Sequence, residues 1–154
     1  MTAESEVTIA EACLAAKKAS GKTYDELAAA CGVTNVYLAQ LLLGQAQLKP
    51  ETKTKLSAAM PALSEEIMEK MASCPTRCFD ADILKEPQVY RTYEAVMHYG
   101  LAIKNIVNEK FGDGIMSAID YYMSVKEIKG IKGERRVVIT LNGKFLPFIQ
   151  MNAD

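Results

Sequence analysis

Apolar residues recur at three- and four-residue spacing through the first half of the chain, which predicts a series of short amphipathic helices. The first begins near Ile9 and ends at Gly21, where a glycine is a common C-terminal stop. Thr23 followed three residues later by Glu26 predicts a capping box at the start of the second helix. Gly32 is expected to end that helix.

A third helix is predicted over residues 35–43, with Thr34 as its N-terminal cap. Two helices joined by a short glycine-containing turn form a helix-turn-helix outline of the λ-repressor-like kind. Pro50 is suited to the first turn of a fourth helix, which Pro61 ends. Ser64 then begins a fifth. The first half is therefore predicted to be entirely helical.

The helical pattern breaks over residues 73–87, which contain two prolines and two cysteines and keep no sustained period. This stretch is predicted to be a linker. It divides the chain into a helical, helix-turn-helix-like domain, residues 1–80, and a catalytic and oligomerisation domain, residues 81–154. The second domain begins with a long helix predicted from Pro87 to about Phe111.

Segments rich in β-branched and aromatic residues follow the glycines of the 112–114 turn. We predict β structure over residues 119–128, 135–141 and 144–148. Asn142-Gly143 is a strong signal for a two-residue hairpin between the last two segments. Residues 130–133 predict a looser turn between the first two. The fold class is therefore α+β, with a small antiparallel β unit beside one long helix.

The second domain has more large apolar residues than one long helix and a small sheet can bury. They are Tyr121, Tyr122, Val137, Val138, Ile139, Phe145, Leu146, Phe148 and Ile149. An apolar surface of that extent is typical of a protein interface, so we expect partner copies of the chain to cover it. Oligomerisation is thus predicted from composition and pattern alone.

The charge balance and the lack of long apolar runs exclude several classes of partner. The 154 residues carry a net charge of −1, which provides no general attraction to nucleic acid or anionic lipid. No apolar run approaches the ~18 residues that a membrane helix requires. Residues 1–6 are polar and acidic, unlike a secretory signal. We therefore expect a cytoplasmic protein with no membrane partner.

The four cysteines are expected to be free thiols, because a chain of this length needs no disulfide staples. Cys74 and Cys78 have no neighbouring Cys or His pair that would complete a zinc site. The single histidine, His98, cannot anchor a metal centre alone. We predict no metal.

The helix-turn-helix outline suggests a DNA-binding regulator, but its chemistry argues against that function. The third predicted helix contains no Lys or Arg, and residues 1–60 hold six basic and six acidic side chains. A DNA-binding surface needs a basic footprint for the phosphates. Asn35 and Gln40 are able to contact bases, yet a packing module is the favoured interpretation. We predict no nucleic-acid partner.

Three segments of the second domain resemble the cyanase family in order and spacing. They are Tyr90-Arg91-Thr92-Tyr93-Glu94, then Lys110-Phe111-Gly112-Asp113-Gly114-Ile115-Met116-Ser117-Ala118-Ile119, then Val138-Ile139-Thr140-Leu141-Asn142-Gly143-Lys144-Phe145-Leu146-Pro147. The first domain matches more loosely, around residues 41–45. The resemblance covers essentially the whole chain, and three matches in register over about 60 residues are specific.

The resemblance implies a catalytic trio of Arg91, Glu94 and Ser117, each with the family's residue type. It also implies that Ile115 and Leu146 line the substrate pocket. An arginine suits such a site because its planar guanidinium is always charged and binds carboxylate-like oxygens in a bidentate way. Ser117 is expected to donate its hydroxyl hydrogen, and Glu94 to orient Arg91.

Each of these residues also has a plainer interpretation. Arg91 and Glu94 have the i,i+3 spacing of an exposed helical ion pair. Ser117 has the position of a turn or cap residue after the glycines. Met116 and Phe145 depart from the commoner aliphatic and tyrosine residues of the family, which affects packing rather than chemistry.

The activity implied by the resemblance is the bicarbonate-dependent decomposition of cyanate to ammonia and carbon dioxide via carbamate. It implies no cofactor, bicarbonate as a co-substrate, an intertwined dimer, and a homo-decamer of five dimers with sites built between subunits. Two alternatives remain open at this point. One is a helix-turn-helix regulator with a C-terminal dimerisation module, and the other is an oligomeric scaffold that has lost activity.

Overall fold

The computed structural model describes residues 7–152. Five short helices come first: α1 (Ile9–Ser20), α2 (Tyr24–Cys31), α3 (Asn35–Leu42), α4 (Pro50–Ala59) and α5 (Glu65–Ala72). A short 3-10 helix (Ala81–Lys85) interrupts the predicted linker and precedes the long helix α6 (Pro87–Phe111). Two strands, β1 (Gly114–Lys129) and β2 (Arg135–Pro147), pair as a two-stranded antiparallel sheet. The predicted α+β class is confirmed.

The helix ends agree with the capping signals in the sequence. Thr23 Oγ1 accepts from the Glu26 N–H at 3.1 Å, and the Glu26 carboxylate accepts from the Thr23 N–H at 2.8 Å, so the predicted capping box forms. Gly21 and Gly32 end α1 and α2 in the left-handed conformation. Local hydrogen bonding therefore sets the helix boundaries in this half of the chain.

The chain divides into two compact units. The first, here called the helical unit, comprises the residues up to Arg77 together with the hairpin tip, Tyr122–Leu141. The second, called the helix-hairpin unit, comprises Cys78–Tyr121 and the residues from Asn142 onward. The predicted domain boundary near residue 80 stays a prediction.

The helical unit has a closed apolar core. Its fully buried large side chains are Leu27, Leu38, Leu41, Leu42, Leu48, Leu56, Met60 and Cys13. Helix α2 packs against α3 and α4, and α1 packs against α5 and α3. Full burial of one such side chain stabilises a fold by about 1.5–3 kcal/mol, so these residues supply most of the driving force for folding.

The helix-hairpin unit has no comparable core. None of the residues of α6 is buried, and Ser117 is the one buried residue in the part of this unit that the structure describes. Large apolar side chains are exposed along both the helix and the strands. They include Tyr99, Leu101, Ile103, Ile106, Phe111, Ile115, Ile119, Phe148 and Ile149.

The predicted hairpin at Asn142-Gly143 is wrong. Both residues lie inside β2, and neither has the positive φ that a two-residue hairpin turn would need. The chain reverses instead at residues 130–134, where the Gly130 N–H donates to the Glu134 carbonyl at 2.8 Å. Two long strands therefore replace the three short segments predicted from the sequence.

Within residues 7–152, no helix is long and apolar enough to cross a membrane. The acidic N-terminal segment, residues 1–6, on which part of the cytoplasmic prediction rests, lies outside the described residues.

Candidate active site

Arg91 and Glu94 lie one turn apart on α6 and form a direct ion pair. Arg91 Nη1 donates to Glu94 Oε2 at 2.6 Å. The hydrogen bond to Glu94, and then the charge of its carboxylate, raise the pKa of the Arg91 guanidinium above its ordinary value. The guanidinium has five N–H donors, and most of them remain available because the side chain is 72% exposed. This pair presents an oriented cation to an anion.

Two tyrosines flank this pair on the same helix. The guanidinium carbon of Arg91 lies 5.9 Å from the centroid of the Tyr90 ring. The rings of Tyr90 and Tyr93 are 6.4 Å apart and tilted by 42°. A cation this close to an aromatic face is attracted to it, so Tyr90 helps to limit the directions that the guanidinium takes.

Ser117 lies in β1 and is nearly inaccessible, with 6% of its surface exposed. Its Oγ accepts from the backbone N–H groups of Ile119 at 3.1 Å and Asp120 at 3.0 Å. A hydroxyl oxygen accepts two hydrogen bonds and donates one. With both acceptor positions in use, Ser117 can offer a ligand only its O–H. A hydrogen-bond donor of this kind suits an anionic ligand.

Ile115 and Leu146, the predicted lining residues, lie on the two paired strands and are about half exposed. Near the same end of the hairpin, Phe145 stacks on Phe111 at the end of α6, with ring centroids 5.4 Å apart. The Phe148 N–H donates to the Asp113 carbonyl at 3.1 Å, which extends the pairing beyond the end of β2. This end of the hairpin is therefore held to the end of the long helix.

The structure joins some of the predicted site residues and leaves others apart. Arg91 and Glu94 contact each other, but no hydrogen bond or ion pair in residues 7–152 links either of them to Ser117. Across the same residues, no group of three His, Cys, Asp or Glu side chains is placed to hold a metal ion. The assignment of the five site residues stays a prediction.

Asn35, at the start of α3, is not free to contact DNA bases as its sequence position suggested. Its Nδ2 donates to Asp25 Oδ1 and to the Val125 carbonyl, both at 2.7 Å. Its Oδ1 accepts from the Val125 N–H at 3.1 Å. The amide thus pairs with the backbone of the hairpin tip much as a neighbouring strand would. The sequence carries no signal for this contact, because Asn35 and Val125 are 90 positions apart.

A cavity of about 780 Å³ lies in the helical unit, between the start of α3 and the hairpin tip. Two of its charged lining residues, Arg135 and Arg136, pair with carboxylates of the same unit. Arg135 donates twice to the Glu127 carboxylate, at 2.6 and 2.8 Å, and lowers the pKa of that carboxyl. Arg136 donates to Glu134 at 2.8 Å. Each of these two arginines keeps N–H donors beyond the carboxylate that it binds.

Known proteins match this chain in sequence and in fold. Residues 81–150 match the family model of the cyanate lyase C-terminal domain. The cyanate hydratase of Phaeodactylum tricornutum is 61% identical over 92% of this chain and 74% of its own length. Cyanate hydratase from Arabidopsis thaliana is 56% identical over 95% of this chain and 87% of its own length. Cyanate hydratase from Synechococcus is 41% identical over 96% of this chain and 98% of its own length.

The crystal structure of cyanase from T. urticae has the same fold, with a TM-score of 0.80 and 32% identity. The match covers 92% of this chain and 99% of that one. Fold and sequence together define an enzyme of the lyase class. More specifically, the chain belongs to the cyanate hydratase family, whose members are also named cyanase or cyanate lyase. The resemblance of the three sequence segments to cyanases is confirmed.

Proposed function

We propose that this chain decomposes cyanate in a bicarbonate-dependent reaction. The observation that carries the proposal is the Arg91–Glu94 pair, an oriented and largely exposed guanidinium in a member of the cyanate hydratase family. Cyanate and bicarbonate are both small monoanions. A site that joins them needs fixed positive charge, hydrogen-bond donors and close juxtaposition of the reactants.

The proposed reaction has three steps. An oxygen of bicarbonate attacks the cyanate carbon and forms a dianionic adduct. Uptake of one proton and cleavage of a carbon–oxygen bond then release carbon dioxide and leave carbamate. Carbamate takes up a second proton and breaks its carbon–nitrogen bond, which gives ammonia and a second carbon dioxide. No electrons are transferred, so the scheme calls for no redox group, and we propose that no cofactor takes part.

The three proposed catalytic residues have different tasks. Arg91 binds the anionic oxygens through its free N–H donors, and its charge stabilises the dianion more than either monoanion. Ser117 donates its O–H to the same anions, a role supported by the two hydrogen bonds that its oxygen already accepts. Glu94 orients Arg91 through the 2.6 Å hydrogen bond and, as a secondary role, handles the protons that the reaction consumes. Ile115 and Leu146 line the pocket.

We further propose that the sites are assembled between subunits of a decamer of five intertwined dimers. The support is the exposed apolar surface of the helix-hairpin unit, including Ile119 at 98% and Leu101 at 78% exposure. Monomeric proteins rarely leave such surfaces open. One Arg91 per chain is also little charge for a dianion, so convergence of Arg91 side chains from neighbouring chains would complete the site.

The proposal places the protein in the cytoplasm and gives it no nucleic-acid or membrane partner. Helix α3 carries no basic residue, and the amide of Asn35 is bonded to Asp25 and Val125. A helix-turn-helix regulator would need both a basic surface and free polar side chains at this helix. A gel-shift assay at low salt tests this part, and any retardation of DNA would contradict it.

The decisive assay for the reaction is ammonia release from cyanate by the purified oligomer, with and without bicarbonate, in the presence of EDTA. We expect turnover that requires bicarbonate and is unaffected by the chelator. With ¹⁸O-labelled bicarbonate and ¹³C-cyanate, the ¹³C-carbon dioxide released from carbamate should carry one labelled oxygen before it exchanges with water, because the bridging oxygen stays with the cyanate carbon. Turnover without bicarbonate, or no turnover from a folded oligomer, would contradict the proposal.

A further inference from the structure

Gly143 lies inside β2 at the point where this strand passes Ser117. A methyl group added at Gly143 would collide with the Ser117 carbonyl oxygen and lie 3.2 Å from the Ser117 carbonyl carbon. It would also come within 2.6 Å of Met116 Cγ. Backbone atoms of a paired strand cannot move aside as a flexible side chain can, so a side chain at this position would push the two strands apart.

The need for glycine here is one of space and not of backbone conformation. Gly143 does not have a positive φ, unlike Gly133 in the hairpin turn at φ 80°. A glycine inside a strand is unfavourable unless another backbone approaches closely. The close approach to Ser117 is therefore what this glycine provides.

The segment that Gly143 contacts is the one that holds the Ser117 hydroxyl. Ser117 Oγ accepts from the N–H groups two and three residues further along β1, so its direction depends on the local path of that strand. Displacement of the Ser117 carbonyl would shift this path. An error of about 1 Å in the position of a catalytic group can lower a rate by about 100-fold.

We infer that Gly143 is a positioning residue for the reaction: its missing side chain lets β2 lie against the Ser117 carbonyl and so directs the Ser117 hydroxyl at the anion. This inference rests on the proposed function of Ser117. Gly143 itself touches no substrate. Its contribution must therefore vanish when the Ser117 hydroxyl is absent.

The test is a double-mutant cycle on the assembled oligomer, with Gly143→Ala, Ser117→Ala and the double variant. The first readout is kcat/KM for cyanate. The second is the affinity for azide, a linear monoanion isoelectronic with cyanate. The matched control is Gly130→Ala in the same hairpin, where the three atoms nearest to the added methyl group all belong to the flexible side chain of Glu134.

We expect Gly143→Ala to lower kcat/KM at least tenfold and to weaken azide binding, while Gly130→Ala changes either by less than twofold. In the Ser117→Ala background, Gly143→Ala should weaken azide binding by less than twofold further. If Gly143→Ala weakens azide binding in the Ser117→Ala background as much as it does in the wild type, the positioning role is overturned. Such an additive loss is what a general structural defect, independent of the Ser117 hydroxyl, would produce. Equally, wild-type values for Gly143→Ala would overturn it.

Failure of the underlying proposal gives a different pattern. If Ser117→Ala alone leaves turnover and azide binding unchanged, Ser117 has no catalytic role and the proposed function of that residue fails.

Should Gly143→Ala not assemble, Met116→Ala/Gly143→Ala removes one of the two clashes and is compared with Met116→Ala. The tenfold loss is expected there as well. Equal activity of those two variants, or failure of both Gly143 variants to assemble, would overturn the inference.

Discussion

The two units of this chain stabilise themselves in different ways. The helical unit encloses a set of fully buried leucines, and its helices are closed by capping boxes and glycines. The helix-hairpin unit has a 25-residue helix without one buried residue, and its large apolar side chains are exposed. One unit has an apolar core of its own, whereas the other exposes an apolar surface of the extent expected at a subunit interface.

This difference bears on the location of the proposed catalytic residues. Arg91, Glu94 and Ser117 all belong to the helix-hairpin unit, and Arg91 is exposed although it is the proposed anion ligand. A site that stabilises a dianion works best where water is excluded and the donors are fixed. Since no residue of α6 is buried, we propose that partner subunits exclude water by covering this helix. Catalysis and assembly are thus expected to be inseparable in this unit.

The largest effect is expected from Arg91→Leu, which removes the charge that the dianion requires. Loss of one such donor costs about 10²–10³-fold in kcat, and loss of the charge as well should bring turnover below detection. Arg91→Lys keeps the charge without the bidentate geometry and should retain partial activity. Steady-state kinetics check both variants.

The matched control for Arg91 is Arg135→Leu, which removes an exposed, carboxylate-paired arginine from the helical unit. Its turnover should stay within twofold of wild type. Wild-type turnover in Arg91→Leu would remove that residue from the mechanism. Glu94→Leu, which frees Arg91 from its 2.6 Å partner, is expected to be inactive as well while remaining folded.

The next effect concerns assembly. Leu101→Glu places a charge on the exposed apolar surface of α6, where the wild-type side chain is 78% exposed in the single chain. We expect the variant to run as a smaller species in light scattering coupled to size-exclusion chromatography, and to lose activity in parallel. Leu14→Glu, on the outer face of α1, is the corresponding change in the helical unit and should leave the oligomer intact. A fully active Leu101→Glu monomer would break the link between assembly and catalysis.

A smaller, purely thermodynamic effect is expected from Leu38→Ala in the core of the helical unit. Removing a fully buried leucine side chain should lower the free energy of unfolding by about 2–5 kcal/mol. Ile103→Ala, on the exposed surface of α6, should matter mainly through the oligomer, so its effect on the melting temperature should depend on protein concentration. Thermal unfolding at several concentrations distinguishes the two. If both variants lower the melting temperature by an amount that does not depend on protein concentration, the proposed difference between the two units is contradicted.

A weaker effect is expected when Asn35 is changed. Asn35→Ala removes two hydrogen bonds that attach the hairpin tip to α3 and a third that joins α3 to α2, at a cost of about 1–3 kcal/mol. Amide hydrogen exchange should increase at Val125, while kcat should stay near wild type because the proposed catalytic residues lie in the other unit. Unchanged exchange at Val125 would show that other contacts hold the tip. Gln40→Ala, on the same helix, serves as the control.

The smallest effect is chemical. Burial raises the pKa of the Cys13 thiol to about 11, and burial also raises the pKa of Cys31. The thiolate is the reactive form, so at pH 8 both should resist a disulfide reagent. Cys74 and Cys78 are exposed and should react first. Titration of the native protein should show two fast thiols and two that appear only on unfolding. Four fast thiols would mean that the helical core opens readily.

Much of the helical unit could be predicted because its signals are local. Thr23 and Glu26 are three residues apart, and the glycines that end α1 and α2 follow directly on the last helical turn. The position of α6 also follows from local signals, namely Pro87 in its first turn and the helical spacing of the apolar residues that follow. Interactions of this kind are complete within a few residues, so a single sequence is enough to read them.

The hairpin and its contacts could not be predicted for the opposite reason. Asn142-Gly143 carries a turn signal, but the glycine is needed by Ser117 on the other strand, 26 positions earlier. The bond between Asn35 and Val125 likewise joins distant parts of the chain. The proposed catalytic trio rests on the family resemblance, since the i,i+3 spacing of Arg91 and Glu94 alone describes an ordinary ion pair. Long-range packing decides these features.

The central claim, that each active site is built from more than one subunit, is tested most directly by mixing two inactive variants. Arg91→Leu and Ser117→Ala oligomers are dissociated together, reassembled and assayed for bicarbonate-dependent ammonia release, with mixing of subunits verified by differently tagged chains. We predict that mixed oligomers regain activity well above that of either parent, because some sites then receive Arg91 from one chain and Ser117 from another. Activity no greater than the sum of the parents, in oligomers shown to be mixed, would contradict the account and place the whole site within a single chain.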